Sequence, residues 1–359
     1  MKSKKRFIGL FISAVVSLSV LSGCGDKNSM SRQDQVSSES SSSKQTTVST
    51  TTTNSTTTTT TTTASTTSAT APAVDNEPKT RMQPMAHTEK IQVGEKFAKA
   101  RQKADEIEKR FGIRLFVGNE VKNAEEFFGS MNLVSAENDA DDYTINYYLE
   151  RLDFLKEQLE RYPKGFFDHF RSDDGKKGLY IAVTTGNIYS NGDKSAGSTT
   201  HGEDWYAITM NMYSLSDNSA INHELWHATE FLIFNKHSID TSKWDALNPS
   251  GFSYGGSYHE HVTNVEVSDD TLLSVAASDN IKYDVPYFAF DYSRMSFYED
   301  RATLIETVFS WSFDDKKGNK NGLAEMNKYP HIKAKLDMLA QWAKLEFGYA
   351  YWEEIVKDL

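Results

Sequence analysis

Between Ser37 and Thr70 the chain is almost wholly serine and threonine, with an unbroken threonine run from Thr56 to Thr63. Such a stretch offers too little apolar surface to offset the entropy of ordering it, so it cannot join a packed core. Whatever folds must lie downstream of it, and whatever lies upstream reads as an address. The expected organisation is a signal segment over 1–23, a disordered Ser/Thr-rich tether over 24–88 and one folded domain over 89–359. As a flexible coil, roughly 65 residues of tether would span about 45 Å on average.

The N-terminus carries Lys2, Lys4, Lys5 and Arg6, then a short apolar run from Phe7 to Leu21, then Leu21-Ser22-Gly23-Cys24. The apolar run is too short to be read as a spanning helix. It resembles a bacterial lipoprotein signal peptide. That resemblance implies acylation of Cys24 and a cell-membrane location, lipid-anchored, on the extracellular face. Cys24 is the only cysteine of the 359 residues, which excludes an internal disulfide. The formal net charge is −11, and basic residues cluster only at the extreme N-terminus. A nucleic-acid partner is therefore not expected, because phosphate binding needs a basic footprint.

Downstream, Glu95 to Phe111 has apolar residues at helical spacing and a stop at Gly112, and Ile113 to Val117 reads as a strand. Tyr143 to Arg161 predicts an amphipathic helix ended by Tyr162-Pro163-Lys164-Gly165. Gly178 to Thr185 and Trp205 to Met212 predict strands, and Asn218 to Phe234 a helix. A loop-rich stretch from Asn248 to Tyr292 follows, read equally as a lid or as a structural loop, and Glu299 to Leu359 is helical in pattern. Asp173-Asp174-Gly175 and Asn191-Gly192-Asp193 read as plain turns rather than calcium loops. Interleaved helices and strands followed by helices predict an α+β fold with a cleft between two lobes.

Residues 223 to 227 read His-Glu-Leu-Trp-His. On a helix, His223 and His227 stand one turn apart on the same face, so two imidazoles can grip one Zn²⁺ from the same side. Glu224 lies beside them as the base for the attacking water. The spacing predicts one zinc per chain, with peptide-bond hydrolysis as the chemistry. A third protein ligand is required, with a fourth position left open. Glu299, at the start of the carboxylate-rich run Tyr298-Glu299-Asp300-Arg301, is the leading candidate; Glu306, Asp300, His259 and His261 are the alternatives.

A His-Glu-x-x-His motif with a distant glutamate on a second helix resembles the gluzincins. The Glu299-Asp300-x-Ala302 form, with Tyr292 seven residues before it, is most similar to the catalytic domain of anthrax lethal factor and its relatives. That resemblance implies a zincin-like two-lobed domain with an active-site helix and a small mixed sheet. It also implies Glu299 as zinc ligand and Tyr292 as the donor to the oxyanion, with Tyr254 and Tyr258 as alternatives. Many gluzincins keep an acidic residue four positions after the ligand glutamate, where this chain has Thr303, so the partner of a zinc histidine is not identified by that position. The strand Trp205 to Met212 is a candidate edge for an extended substrate. The expected partners are a peptide or protein substrate and the membrane through Cys24, on a monomer. The rival reading is a non-catalytic surface lipoprotein, an adhesin or ligand-binding protein, with a structural or vestigial zinc site.

Overall fold

A computed structural model describes residues 77–129, 133–134, 140–190, 193–215, 220–255, 271–273, 284–312 and 322–349. The signal segment, Cys24, the Ser/Thr-rich run, Tyr258, His259 and His261 lie outside the described residues. The longer helices are α1 (Ala98–Phe111), α2 (Asp142–Glu160), α3 (Ala220–Lys236), α4 (Phe297–Ser312) and α5 (Pro330–Phe347). The strands are β1 (Arg114–Phe116), β2 (Leu179–Thr184), β3 (Ile188–Ser190), β4 (Asp193–Ser195), β5 (Gly197–His201) and β6 (Tyr206–Asn211). The architecture is mixed α+β, as the sequence predicts. No helix among the described residues is long and apolar enough to cross a membrane.

The local reasons are visible in the sequence. Ala100, Ala104, Ile107 and Phe111 form the buried stripe of α1, and Lys109 and Arg110 sit favourably in its last turn. Gly112 closes α1 with φ 73°, and its N–H donates to Glu108 O at 2.8 Å. A Cβ there would also lie 2.6 Å from Thr80 Oγ1, so both backbone and space demand glycine. Helix α2 starts where Asp141 accepts from Thr144 N at 2.8 Å.

The main sheet has the order β1-β2-β6-β5, parallel except for β5, which runs antiparallel to β6. Successive side chains point to opposite faces, so the sheet divides the core. Leu115, Ile181, Ile208 and Met210 join the large cluster with the helices; Phe116, Ala182 and Ala207 join a smaller one with Val121, Phe128 and Ile188. The strand expected at the edge, β6, is internal, flanked by β2 and β5. The edge on that side is β5, whose Gly-Ser-Thr-Thr-His composition carries little strand signal.

Packing begins upstream of the expected boundary at Glu89. Lys79 N and Thr80 N donate to Arg110 O, Gly165 N donates to Lys79 O, and Arg171 Nη1 donates to Gln83 O at 2.9 Å. Met85 is buried, and His87 Nε2 lies 2.7 Å from Glu108 Oε2. This segment has no repeat because it is irregular chain capping the end of α1, so periodicity could not reveal it. Deleting 25–76 should leave the melting temperature unchanged, whereas deleting 25–88 should lower it by roughly 5 °C or more. Equal melting curves for the two truncations would show that residues 77–88 add nothing.

Candidate metal centre

Helix α3 is the central element: every residue from Ala220 to Ile233 is buried. It packs against β5, β6 and α4. A helix buried all round must satisfy its polar side chains internally. Asn222 does so through Tyr162 OH and Gln158 Oε1, both at 3.0 Å, and Thr229 donates to Leu225 O at 2.7 Å. The remaining polar groups on α3 are His223, Glu224, His227 and Glu230.

His223 and His227 lie one helical turn apart with their Nε2 atoms 3.1 Å from each other. Glu299, in the first turn of α4, brings Oε2 to 3.0 Å from His223 Nε2 and 3.4 Å from His227 Nε2. Three ligand atoms thus converge from two helices, all within 4.8 Å of one another and all buried. Two imidazole nitrogens and a carboxylate oxygen face each other out of contact with water. Such a group needs a cation between its lone pairs, a proton or a metal ion.

The outer nitrogen of His223 decides which lone pair is free. His223 Nδ1 lies 2.9 Å from Glu306 Oε2, so Nδ1–H donates there and Nε2 faces the centre unprotonated when a metal is bound. Glu306 is therefore outside the candidate ligand group and is the carboxylate that orients the His223 ring. The position four after Glu299 does something else: Thr303 Oγ1 pairs with Ser293 Oγ at 2.7 Å and bonds back to Asp300 O. Residues 299 and 306 are seven apart, two helical turns, and so share the face of α4 that meets α3. Removing this carboxylate, as in Glu306→Ala, should weaken metal affinity about 10- to 100-fold. A chelator-competition titration measures it, and unchanged affinity would exclude the orienting role.

The electrostatics agree with a cation site. Burial would push the His223 imidazole towards neutrality, but the Glu299 and Glu306 carboxylates outweigh it and hold its pKa well above the usual value. Burial would raise Glu299, yet His227 and His223 hold it well below the usual carboxylate range. Two buried polar atoms around the centre lack hydrogen-bond partners among the described residues, Glu224 Oε1 and His227 Nδ1, and Tyr292 OH turns inward to Glu299. Clustered orphans of this kind mark a place where an ion or a reacting molecule completes the bonding. The donor set, two imidazoles and one carboxylate, fits a metal ion of borderline softness.

Glu224 approaches from the β5 side and is not part of the ligand group. Thr199 Oγ1 donates to its Oε2 at 2.5 Å, and burial pushes its carboxyl up from the usual range. Tyr292 stands in the helical turn Asp291–Arg294, its ring centroid 6.1 Å from that of His223. Burial, then Glu299 and Glu224, push its hydroxyl well above the ordinary tyrosine value. The sequence-predicted His223, Glu224, His227, Glu299 and Tyr292 therefore come together.

Two alternatives turn elsewhere. Asp300 Oδ2 accepts from buried Lys335 Nζ at 2.6 Å, Tyr254 OH at 2.8 Å and Trp244 Nε1 at 3.1 Å, so it is committed away from the ligands. Tyr254, donating to Asp300 and accepting from Asn248 Nδ2 at 3.0 Å, is likewise committed there and not to the ligand group. Asp174 accepts from Ser172 Oγ and Lys176 N beside Gly175 at φ 70°, an ordinary turn. Sequence reasoning missed Gly197 and Thr199, whose only signal was a β-branched pair, Thr199-Thr200, shortly before a clear strand. No family model matches the chain, and comparisons with curated proteins and with solved structures return no match either.

Proposed function

We propose that this chain is a zinc-dependent peptidase of the gluzincin type, in a zincin-like two-lobed domain. The observation that carries the reading is the convergence of His223, His227 and Glu299 on one point, with the carboxylate of Glu224 next to it on the same helix. Among the described residues no fourth His, Cys, Asp or Glu joins that group. Structural zinc sites close with four protein ligands, whereas catalytic ones use three and keep a position for water or substrate.

A zinc ion held there would supply Lewis acidity towards the scissile carbonyl and the attacking water. The chain's own groups do the rest. Glu224 takes a proton from the attacking water and returns it to the departing amine nitrogen. Tyr292 OH, beside Glu299 at the centre, donates to the carbonyl oxygen as it gains negative charge. Glu306 keeps His223 in the tautomer that leaves Nε2 free. Strand β5 ends the sheet order on the side beside α3, with Gly197 to Thr200 buried. The leader and the lone Cys24 support a lipid-anchored protein on the outer face of the membrane, acting as a monomer on peptides or proteins.

The test is metal content and cleavage measured together. Purified protein should carry about one zinc per chain. It should cut members of a peptide library, stop on chelation and recover on adding zinc. Zinc-loaded protein that cuts nothing would return the chain to the rival reading of a binding lipoprotein.

A further inference from the structure

Strand β5 does more at this site than form an edge. Its register with β6 pairs Gly197 with Met210 and Thr199 with Ile208, so both face the helix side of the sheet, where α3 lies. Thr199 Oγ1 donates to Glu224 Oε2 at 2.5 Å, and the same atom lies 3.1 Å from the main-chain oxygen of Glu224. The hydroxyl's one proton goes to the nearer carboxylate oxygen, and the main-chain oxygen of Glu224 lies beside it. Gly197 backs the other side. A Cβ at residue 197 would lie 2.9 Å from Glu224 Cγ and 2.9 Å from Glu224 Oε1. It would lie nearer still, 2.8 Å, to Met210 Sδ; real Cβ atoms do not approach so closely, so glycine leaves the room that the Glu224 carboxylate and Met210 share. Oε1 itself is buried and has no partner among the described residues.

We infer that Thr199 is the positioning residue of Glu224, and that β5 divides the carboxylate, anchoring Oε2 on Thr199 and reserving Oε1, over Gly197, for the proton. The inference rests on the peptidase reading. In the reacting complex, one O–H bond of the attacking water breaks, the proton forms an O–H bond at Glu224 Oε1, and it passes later to the leaving nitrogen. Throughout, the hydroxyl proton of Thr199 stays on Oγ1. Without that anchor the glutamate side chain is free to turn, and its two oxygens exchange places. A misplaced base loses rate without losing substrate affinity, because its contact is made in the transition state.

The experiment compares zinc-loaded wild type, Thr199→Val, Thr199→Ser and Gly197→Ala in the full chain. All four should hold the same zinc per chain by elemental analysis. On a pooled peptide substrate, Thr199→Val should lose about tenfold to a hundredfold in kcat with KM unchanged, and Gly197→Ala at least as much. Thr199→Ser, which keeps the hydroxyl, should recover to within about threefold of wild type. The second readout needs no substrate: acetohydroxamic acid gives up a proton when it chelates a metal and needs a base to receive it. Its affinity should fall about tenfold in Thr199→Val, the worth of one hydrogen bond to a charged group. Should valine disturb folding, Thr199→Ala serves in its place. Wild-type kcat and hydroxamate affinity in the hydroxyl-free variant would overturn the inference, and so would loss of zinc from it. A wild type that binds acetohydroxamate through Thr199 yet cuts no peptide would instead overturn the peptidase reading alone.

Discussion

Glu224→Gln should keep its zinc and lose its chemistry. Glutamine has the shape of glutamate, so the Thr199 hydroxyl still finds an oxygen to donate to and the fit over Gly197 is kept. The change leaves the candidate ligand group of His223, His227 and Glu299 untouched. Only proton acceptance is removed, and general-base steps of this kind are worth roughly a hundred- to ten-thousand-fold in rate. Stability should move the other way. Burial raises the carboxyl of Glu224, so in metal-free protein its ionised form costs stability; the cost is full above the raised folded pKa, fades as pH falls through it, and is gone below the unfolded value. Glutamine carries no such cost, so the melting temperature at neutral pH should hold or rise. Glu299→Ala is the contrasting variant and should lose both zinc and turnover. The pair is measured in parallel by elemental analysis, thermal melts and peptide cleavage. Cleavage at the wild-type rate by Glu224→Gln would remove the proposed base, and normal zinc in Glu299→Ala would move the third ligand elsewhere.

The site was legible in the sequence as far as a single helix can carry it. His223, Glu224 and His227 are fixed relative to one another by helical geometry alone, so spacing sufficed. Choosing among the carboxylates of α4 is a different problem, because it depends on how one helix is rolled against another. Glu299 and Asp300 are adjacent, yet one meets two histidines and the other meets Lys335, a residue 35 positions later on α5. Glu299 led the candidates from its place at the start of a carboxylate-rich run, and the resemblance pointed to it again, but the role of Glu306 depends on how α4 packs on α3.

The fold shows the same division. Helices α1, α2 and α3 and strands β2 and β6 fall within about three residues of their expected bounds, because each has an apolar period of its own. Strand β5 has none: glycine, serine and two threonines carry no apolar period, and its extended form comes from the ladder with β6. The segment 77–88 is equally silent, being ordered by bonds to α1 and to the chain after α2 rather than by any repeat. What could not be read was what depends on a distant partner, and at this site the distant partner, β5, holds Glu224, the proposed base.

Arg301→Met should be the most damaging single change outside the ligands. Arg301 on α4 donates through Nη2 to Glu230 Oε1 on α3, and both side chains are buried. The guanidinium lies among the rings of Phe297, Tyr298, Trp244, Trp342 and Phe234, with Phe297 the nearest at 4.8 Å from its centroid. The pair ties the two helices together two residues after Glu299 and three after His227. Methionine fills much of the space but leaves Glu230 as a buried, uncompensated charge, which costs about 3–5 kcal/mol. Glu230→Leu made alongside it removes that charge, and replacing both partners of a buried pair by apolar side chains is often neutral. The double variant should therefore recover most of the loss in a denaturant titration. Because the pair also fixes the helix spacing that the ligands need, the single variant should bind zinc more weakly. Adding zinc in excess should restore part of its melting temperature, since metal binds the native state alone. A single variant within about 0.5 kcal/mol of wild type would place the pair with ordinary surface substitutions. A double variant no better than the single would show that the aromatic enclosure of Arg301, and not its charge partner, holds α3 to α4.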